Sequence, residues 1–377
     1  MVKIILLGNY KADKQESMER FAQMLKNGFI QNGVDSIIWY PPFLFGRLTD
    51  SHNSGLGKWL GYIDKWILFP FTILWKRLFL LFNKNIRFHI CDHSNAPYIS
   101  YLPNKRTVIT CHDVLAIRGA LGYKDSYCTS TKTGIILQKW ILKSLCKADN
   151  IATVSQFTLN QLEEIQVKTK SIKNWKVIPN AFNADFYPMN KIEVKRILQK
   201  NKITIFKPFI LHVGSSLQRK NRKLLVDMLH CLNITWDGIV CFAGQEIELE
   251  LQKHIDSLGL QNKVISILKP SHEVLVALYS SCESFIFPSF SEGFGWPIIE
   301  AQACGAPVIA SSYDPLPEVS GNAAIHNDPL NPNEFADSLL SLQNELTRNE
   351  LIKAGYENCK RFELKRIIQE YLSIHSL

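Results

Sequence analysis

Phe287-Pro288-Ser289-Phe290-Ser291-Glu292-Gly293-Phe294-Gly295-Trp296-Pro297-Ile298-Ile299-Glu300-Ala301 decides the reading of this chain. The apolar run that ends at Phe287 reads as a strand. The stretch from Trp296 reads as a helix with Pro297 in its first turn, where a missing N–H costs nothing. Between them, Gly293 and Gly295 let the backbone turn tightly and bring N–H groups close to a ligand. A helix N-terminus at the carboxyl end of a strand is a place where anions and sugars are held. Glu292 and Glu300 have seven residues between them, so two carboxylates can grip two ends of one elongated ligand. Equally, Glu300 can complement the helix dipole while Glu292 is a loop charge.

Outward from this stretch, short apolar runs bounded by turn residues alternate with helical patterns, the signature of β-α-β units and parallel sheets. A second series of strands falls near Phe209 to Val213, Ile239 to Ala243, Val264 to Ile267, Ser284 to Phe287, Val308 to Ala310 and Ala324 to His326. A first series falls near Ile4 to Leu7, Ser36 to Trp39, Arg87 to Ile90, Thr107 to Thr110, Ile151 to Val154 and Lys176 to Ile178, with helices at Ser17 to Asn27 and Gly134 to Leu145. The expected organisation is a first domain over 1–188, a Lys-rich linker with its own helix over 189–207, and a second domain over 208–360. A final helix over 361–377 is expected to pack back on the first domain.

The bulk numbers agree with two α/β domains: 377 residues, 46% hydrophobic and 11% aromatic, bury large cores and exclude disorder. The formal net charge of +9 attracts phosphates of any origin and does not by itself choose among nucleic acid, anionic lipid and nucleotide. Nine cysteines without a Cys-x-x-Cys pair read as reduced thiols of a cytosolic protein. Met1-Val2-Lys3 enters an apolar strand at once, with no leader pattern, which argues against export.

Residues 55–85 depart from this pattern. Trp66 to Phe82 is densely aromatic and aliphatic, but Pro70, Lys76 and Arg77 break it too much for a spanning helix. Lys58, Lys65, Lys76, Arg77, Lys84 and Arg87 stand against Asp64 alone. Two readings remain open: a helix lying in an anionic membrane interface, or a core helix with a solvated basic edge.

Further candidates for chemistry lie at strand ends. Val213-Gly214-Ser215-Ser216-Leu217-Gln218-Arg219-Lys220-Asn221 is a strand, a glycine turn and a basic pair at a helix start. Val108-Ile109-Thr110-Cys111-His112-Asp113 ends a strand on a His-Asp pair, and Cys91-Asp92-His93-Ser94 ends its predecessor. Gly8-Asn9-Tyr10 follows the first strand, and Ser155 and Asn180 close two more strand-to-loop elements.

Taken together, these motifs resemble the retaining glycosyltransferases of family 4, which have the GT-B fold: two Rossmann-like domains with parallel sheets facing a cleft. The resemblance spans nearly the whole chain, is densest from Pro288 to Glu318, and is loosest from about Pro41 to Arg87. It implies that Glu292 and Glu300 bind donor sugar and nucleotide ribose, with Gly293, Phe294 and Gly295 shaping the loop. It places Gly214, Ser215, Arg219 and Lys220 at the donor diphosphate. Ser215 stands where relatives carry an arginine directly after the glycine, so Arg219 is the candidate for that role. His112 matches the family's cleft histidine and is expected on the donor sugar, with Asp113 orienting the loop or capping the next helix. Asp92, His93, Gly8, Asn9, Ser155 and Asn180 are expected to border the same cleft.

The expected activity is transfer of a hexosyl residue, mannosyl-like or related, from a nucleoside-diphosphate sugar to a glycan or lipid-linked acceptor in cell-surface polysaccharide or lipopolysaccharide synthesis. Retention of configuration by front-face attack follows from the resemblance. No Asp-x-Asp motif is present, and His89 with His93 falls on a strand, so no metal and no cofactor are expected. An epimerase or phosphorylase on the same fold is a second reading. A non-catalytic binder of membrane or nucleic acid is a third, and the chain lacks base-stacking modules for nucleic acid. The expected location is cytoplasmic, peripheral on the inner membrane face.

Overall fold

In the computed structural model, residues 2–49, 55–79, 83, 85–166 and 173–377 are described. Among them the chain forms two six-stranded sheets, each parallel throughout, because every strand is followed by a crossover that returns it in the same direction. The two sheets belong to separate compact units. One comprises Met1–Lys124, Cys128–Asn183 and Leu364–Leu377, the other Asp125–Tyr127 and Ala184–Glu363.

The first unit runs β1 (Lys3–Leu7), α1 (Glu16–Gln31), β2 (Asp35–Trp39), α2 (Gly55–Ile63), α3 (Phe69–Leu78), β3 (Ile86–Ile90), β4 (Thr107–Cys111), α4 (Leu115–Leu121), α5 (Lys132–Leu145), β5 (Asn150–Thr153), α6 (Gln156–Ile165) and β6 (Asn174–Val177). Its strand order is β2-β1-β3-β4-β5-β6. Strands such as Ile4-Ile5-Leu6-Leu7 are apolar on both faces because helices cover both sides.

The second unit runs α7 (Lys191–Lys200), β7 (Phe209–Gly214), α8 (Arg222–Leu232), β8 (Ile239–Gly244), α9 (Leu249–Ser257), β9 (Val264–Leu268), α10 (His272–Ser281), β10 (Ser284–Phe287), α11 (Trp296–Ala303), β11 (Val308–Ser311), α12 (Leu316–Ser320), β12 (Ile325–Asn327), α13 (Pro332–Ser341) and α14 (Glu345–Cys359). Its order is β12-β11-β10-β7-β8-β9. The last helix, α15 (Leu364–Ile374), belongs to the first unit.

The division differs from the expected linker at 189–207. Helix α7 has a capping box, in which Asn190 accepts from the N–H groups of Ile192 and Glu193 while the Glu193 side chain returns to the Asn190 N–H. Its Val194 and Ile197 are buried in a second-unit core cluster with Leu278 and Phe285, so the segment is part of that unit. The polar, Lys-rich face that read as a linker is the solvated side of an amphipathic helix.

Around Trp66 the chain is one nearly continuous helix, in which a π-helical turn over Asp64–Leu68 joins α2 to α3. Phe69 and Ile73 are fully buried in the first core, whereas Phe71, Trp75 and Phe79 are exposed. Leu80–Phe82 and Lys84 of the expected segment lie outside the described residues.

Candidate active site

In each sheet the first strand of its unit has one neighbour on either side reached by crossovers of opposite sense. That makes a switch point, and ligands of open α/β sheets bind at the carboxyl ends of such strands. In the second unit the switch strands are β7 and β10, whose following loops carry the basic pair and the Glu292 loop. In the first unit they are β1 and β3, followed by Asn9 and by Asp92-His93.

The second-unit loops are tied together. Phe290 N–H donates to the Arg219 carbonyl at 2.8 Å, and the Asn221 amide donates to the carbonyls of Pro288 and Pro329. Glu292 then sits between two cations, with Oε1 2.6 Å from Lys220 Nζ and Oε2 2.7 Å from the Arg219 guanidinium. Burial alone would raise the Glu292 pKa, but the two cations and their hydrogen bonds outweigh it and hold the carboxyl below its ordinary range. Burial lowers the Lys220 pKa, and Glu292 offsets part of that. Lys220 Nζ also lies 4.7 Å from the Phe287 ring centroid.

Glu300, in the first turns of α11, accepts from the Tyr279 hydroxyl at 3.0 Å. Gly295 caps this helix at φ 104°, and a Cβ there would meet Leu316 Cδ2 at 2.9 Å, so the turn requires glycine. Gly214 ends β7 beside Lys220, and Ser215 is half-buried in the loop that follows. Gly293 lies in the same loop as Glu292, while the Phe294 ring is buried edge-on against Phe362.

In the first unit Asn9 donates to Asp92 Oδ2 at 2.6 Å and accepts from Asn95 at 2.9 Å, and it borders a cavity of about 120 Å³ with Ser94 and Lys65. Asp92 also caps the turn that follows by accepting from the N–H and hydroxyl of Ser94, and His93 Nδ1 lies 3.2 Å from it. His112 is buried, its Nε2 3.0 Å from the Cys91 carbonyl and its ring edge-on to Phe21. Burial lowers its pKa, with Asp92 offsetting part of the effect. The structure therefore brings Asn9, Asp92 and His93 together, with His112 on the adjoining strand end.

Other expected residues have local structural partners. Asp113 accepts from Leu115 N–H at the start of α4, and Ser155 caps α6 through Thr158 N–H. Asn180 is buried after β6. Gly8 faces the ring of Tyr40, which a Cβ would meet at 2.6 Å, so its small size serves packing.

Residues 194–358 match the family described as Glycosyl transferases group 1, and residues 18–186 match Glycosyltransferase Family 4. The chain belongs to the group 1, family 4 glycosyltransferases.

Among the relatives of this glycosyltransferase, O-antigen chain mannosyltransferase B of Escherichia coli is 28% identical over 287 residues, covering 74% of this chain and 72% of that protein. O-antigen chain mannosyltransferase RfbU of Salmonella typhimurium is 24% identical over 279 residues, covering 74% and 70%. Among solved structures, Anabaena HepE in complex with UDP and glucose matches with a TM-score of 0.71 at 17% identity and covers all of both chains. That likeness shows the GT-B fold.

Two features of the glycosyltransferase's site were not read from the sequence. Tyr127 lies far from the donor motifs in the chain, yet it belongs to the second unit and stacks on Phe290 at 5.1 Å and 11°. His212 lies on β7 beneath the Glu292 loop, bonded through Nδ1 to the Ile286 carbonyl and stacked on Phe287, with burial depressing its pKa to about 3. Neither carries a local motif. Only the pairing of β7 with β10 brings His212 under the loop.

Proposed function

We propose that this glycosyltransferase moves a hexosyl residue of the mannosyl type from a nucleoside-diphosphate sugar to a glycan or lipid-linked acceptor, in the synthesis of a cell-surface polysaccharide or lipopolysaccharide at the cytoplasmic side of the membrane. The mannosyltransferase relatives support the sugar class and the pathway class, and the UDP and glucose of the Anabaena structure support a nucleotide-sugar donor. The observation that carries the reading is the Arg219-Lys220 pair held against Glu292 at the switch point of the second sheet.

In the reaction the acceptor hydroxyl oxygen forms a bond to the anomeric carbon as the bond to the diphosphate oxygen breaks, and the electron pair leaves on the nucleoside diphosphate. Arg219 and Lys220 stabilise that growing negative charge from fixed positions in a poorly solvated site. They supply the positive charge that a metal would otherwise bring, so the transfer runs without one. Glu292 takes sugar hydroxyls and Glu300 the ribose. The acceptor proton passes to the departing phosphate on the same face, which retains configuration. His112, Asp92, His93 and Asn9 are the first unit's share in binding sugar and acceptor, with Asp113, Ser155 and Asn180 shaping the loops around them.

The test is calorimetric titration with UDP-, GDP-, ADP- and dTDP-sugars, alongside Glu300→Ala and Lys220→Ala, followed by NMR of the product's anomeric proton with and without chelator. One donor bound tightly and weakened by both variants is the expected result. Binding of none would overturn the reading, and an inverted product would overturn the front-face step.

A further inference from the structure

We propose that the outer face of the α2–α3 helix is a docking surface for an anionic phospholipid bilayer, on which the helix lies flat in the headgroup region. The inference holds whichever sugar is moved, because it uses none of the donor residues.

Soluble helices bury one apolar stripe and turn a polar face to water. This helix is apolar on both sides. Phe69 and Ile73 are 0% exposed, while Phe71 is 67%, Trp75 65%, Phe79 75% and, one helix earlier, Trp59 57% exposed. Exposed apolar surface of this extent marks an interaction site.

The π turn explains how the outer side chains share one face. Its wider turn holds an extra residue and sets everything after Leu68 back by roughly one residue's rotation, about 100°. With that offset Phe69 and Ile73 fall in line with Gly57 and Gly61 on the buried side, and Phe71 and Trp75 in line with Leu56 and Trp59 on the outside. The turn is pinned from within. Asp64, fully buried, accepts from the Tyr10 hydroxyl at 2.7 Å and from the N–H groups of Leu44, Phe45 and Gly46 at 2.9 to 3.1 Å. The same carboxylate therefore holds the Leu44–Leu48 loop beside α2, where Leu44 and Leu48 are also exposed.

Charge selects the occupant. Asp64 is the only acid between Gly55 and Phe79, and it is buried. Lys58, Lys76 and Arg47 lie over the rings of Tyr62, Trp39 and Phe43, and Arg77 donates to the Tyr101 carbonyl; among the described residues no carboxylate forms a salt bridge with these cations. A second copy of the chain would set this face against itself and bring like charges together. Anionic headgroups over acyl chains match both the cations and the aromatics. Among the described residues no helix is long and apolar enough to cross a membrane, so the contact is interfacial.

The full chain is tested by flotation with phosphatidylcholine vesicles with and without phosphatidylglycerol. The expected result is binding to the anionic vesicles that weakens with salt. Phe71→Ser combined with Trp75→Ser should lower the partition coefficient by about tenfold or more, with unchanged melting and donor titration. Trp59→Ser, at the other end of the face, is a second variant and should fall in the same direction. Equal binding to neutral vesicles, no vesicle binding, or wild-type binding by these variants overturns the proposal. A dimer in sedimentation that the same variants dissolve, without vesicle binding, assigns the face to a second copy instead.

Discussion

Lys220 Nζ and Glu292 Oε1 lie 2.6 Å apart although their positions in the chain differ by 72. Both are buried, and Arg219 adds a second cation. Removing one partner from such a pair leaves an uncompensated charge in a poorly solvated place. Glu292→Gln and Lys220→Ala should each lower kcat/KM by about 10²- to 10³-fold, measured on the donor identified by titration. Lys220→Arg should restore part of the loss, because charge returns without the ammonium geometry.

Tyr279 aims Glu300. Its hydroxyl donates to Glu300 Oε2 at 3.0 Å, and both groups are buried. Tyr279→Phe removes the donor and keeps the ring. Donor affinity by calorimetry should fall by about fivefold to tenfold, the range of one hydrogen bond, while Glu300→Ala should cost more. An unchanged dissociation constant in both variants would remove Glu300 from the ribose.

The first unit should lose stability in mild acid. His375 Nε2 meets His89 Nδ1 at 3.1 Å, and His89 Nε2 meets the Thr110 hydroxyl at 2.8 Å. Burial first, then Arg87, lowers the His375 pKa to about 3, and burial holds His89 well below its ordinary value. The unfolded chain protonates both near the ordinary histidine value of 6.5. Stability is therefore fully present above that pH and is lost progressively as pH falls toward about 3. With His112, which burial also depresses, the first unit holds three such histidines, so His375→Leu removes one of three titrations and should cut the pH slope of the melting midpoint by about a third. A slope unchanged by the variant would rule the histidine out as its source.

Gly295→Ala tests the turn under the donor loop. At φ 104° and with Leu316 Cδ2 2.9 Å from the added methyl, the variant should lose about 1 to 2 kcal/mol by denaturant titration, with a larger relative loss of activity. The control Gly33→Ala has a φ of 76° and open space, so it should show the backbone cost without the activity loss.

The strands were legible because central parallel strands are apolar on both faces. Ser284–Phe287 was read to the residue, and Lys3–Leu7 to within one position. The pairing of Glu292 with the basic loop was not legible. Local spacing records the turn at Gly293 and Gly295 but not that β7 neighbours β10. Nor does the sequence record what Gly8 faces, because a glycine after a first strand looks the same whether or not an aromatic ring such as Tyr40 packs on it. The helix expected within the linker forms as α7, but only Val194 and Ile197 of its ten residues are buried, too few for a sequence pattern to record which unit it joins. The outer face of α2–α3 could not be separated from its core face without the π turn, since periodicity counted at 3.6 residues runs out of phase across it.

Helix α15 gives the molecule an order of biosynthesis. Its Ile367, Ile368 and Tyr371 are fully buried, and Ile368 packs so closely on α1 that a Cβ on Gly28 would overlap it. Residues 364–377 nevertheless leave the ribosome after the whole second unit. The N-terminal unit is therefore unfinished, without Tyr371 and His375, until the second unit has been translated. A fragment ending near Asn183 would remain in that unfinished state. Supplying the final helix as a separate peptide should rescue such a fragment in trans, which makes the first half of the enzyme a natural split-protein partner for its own tail.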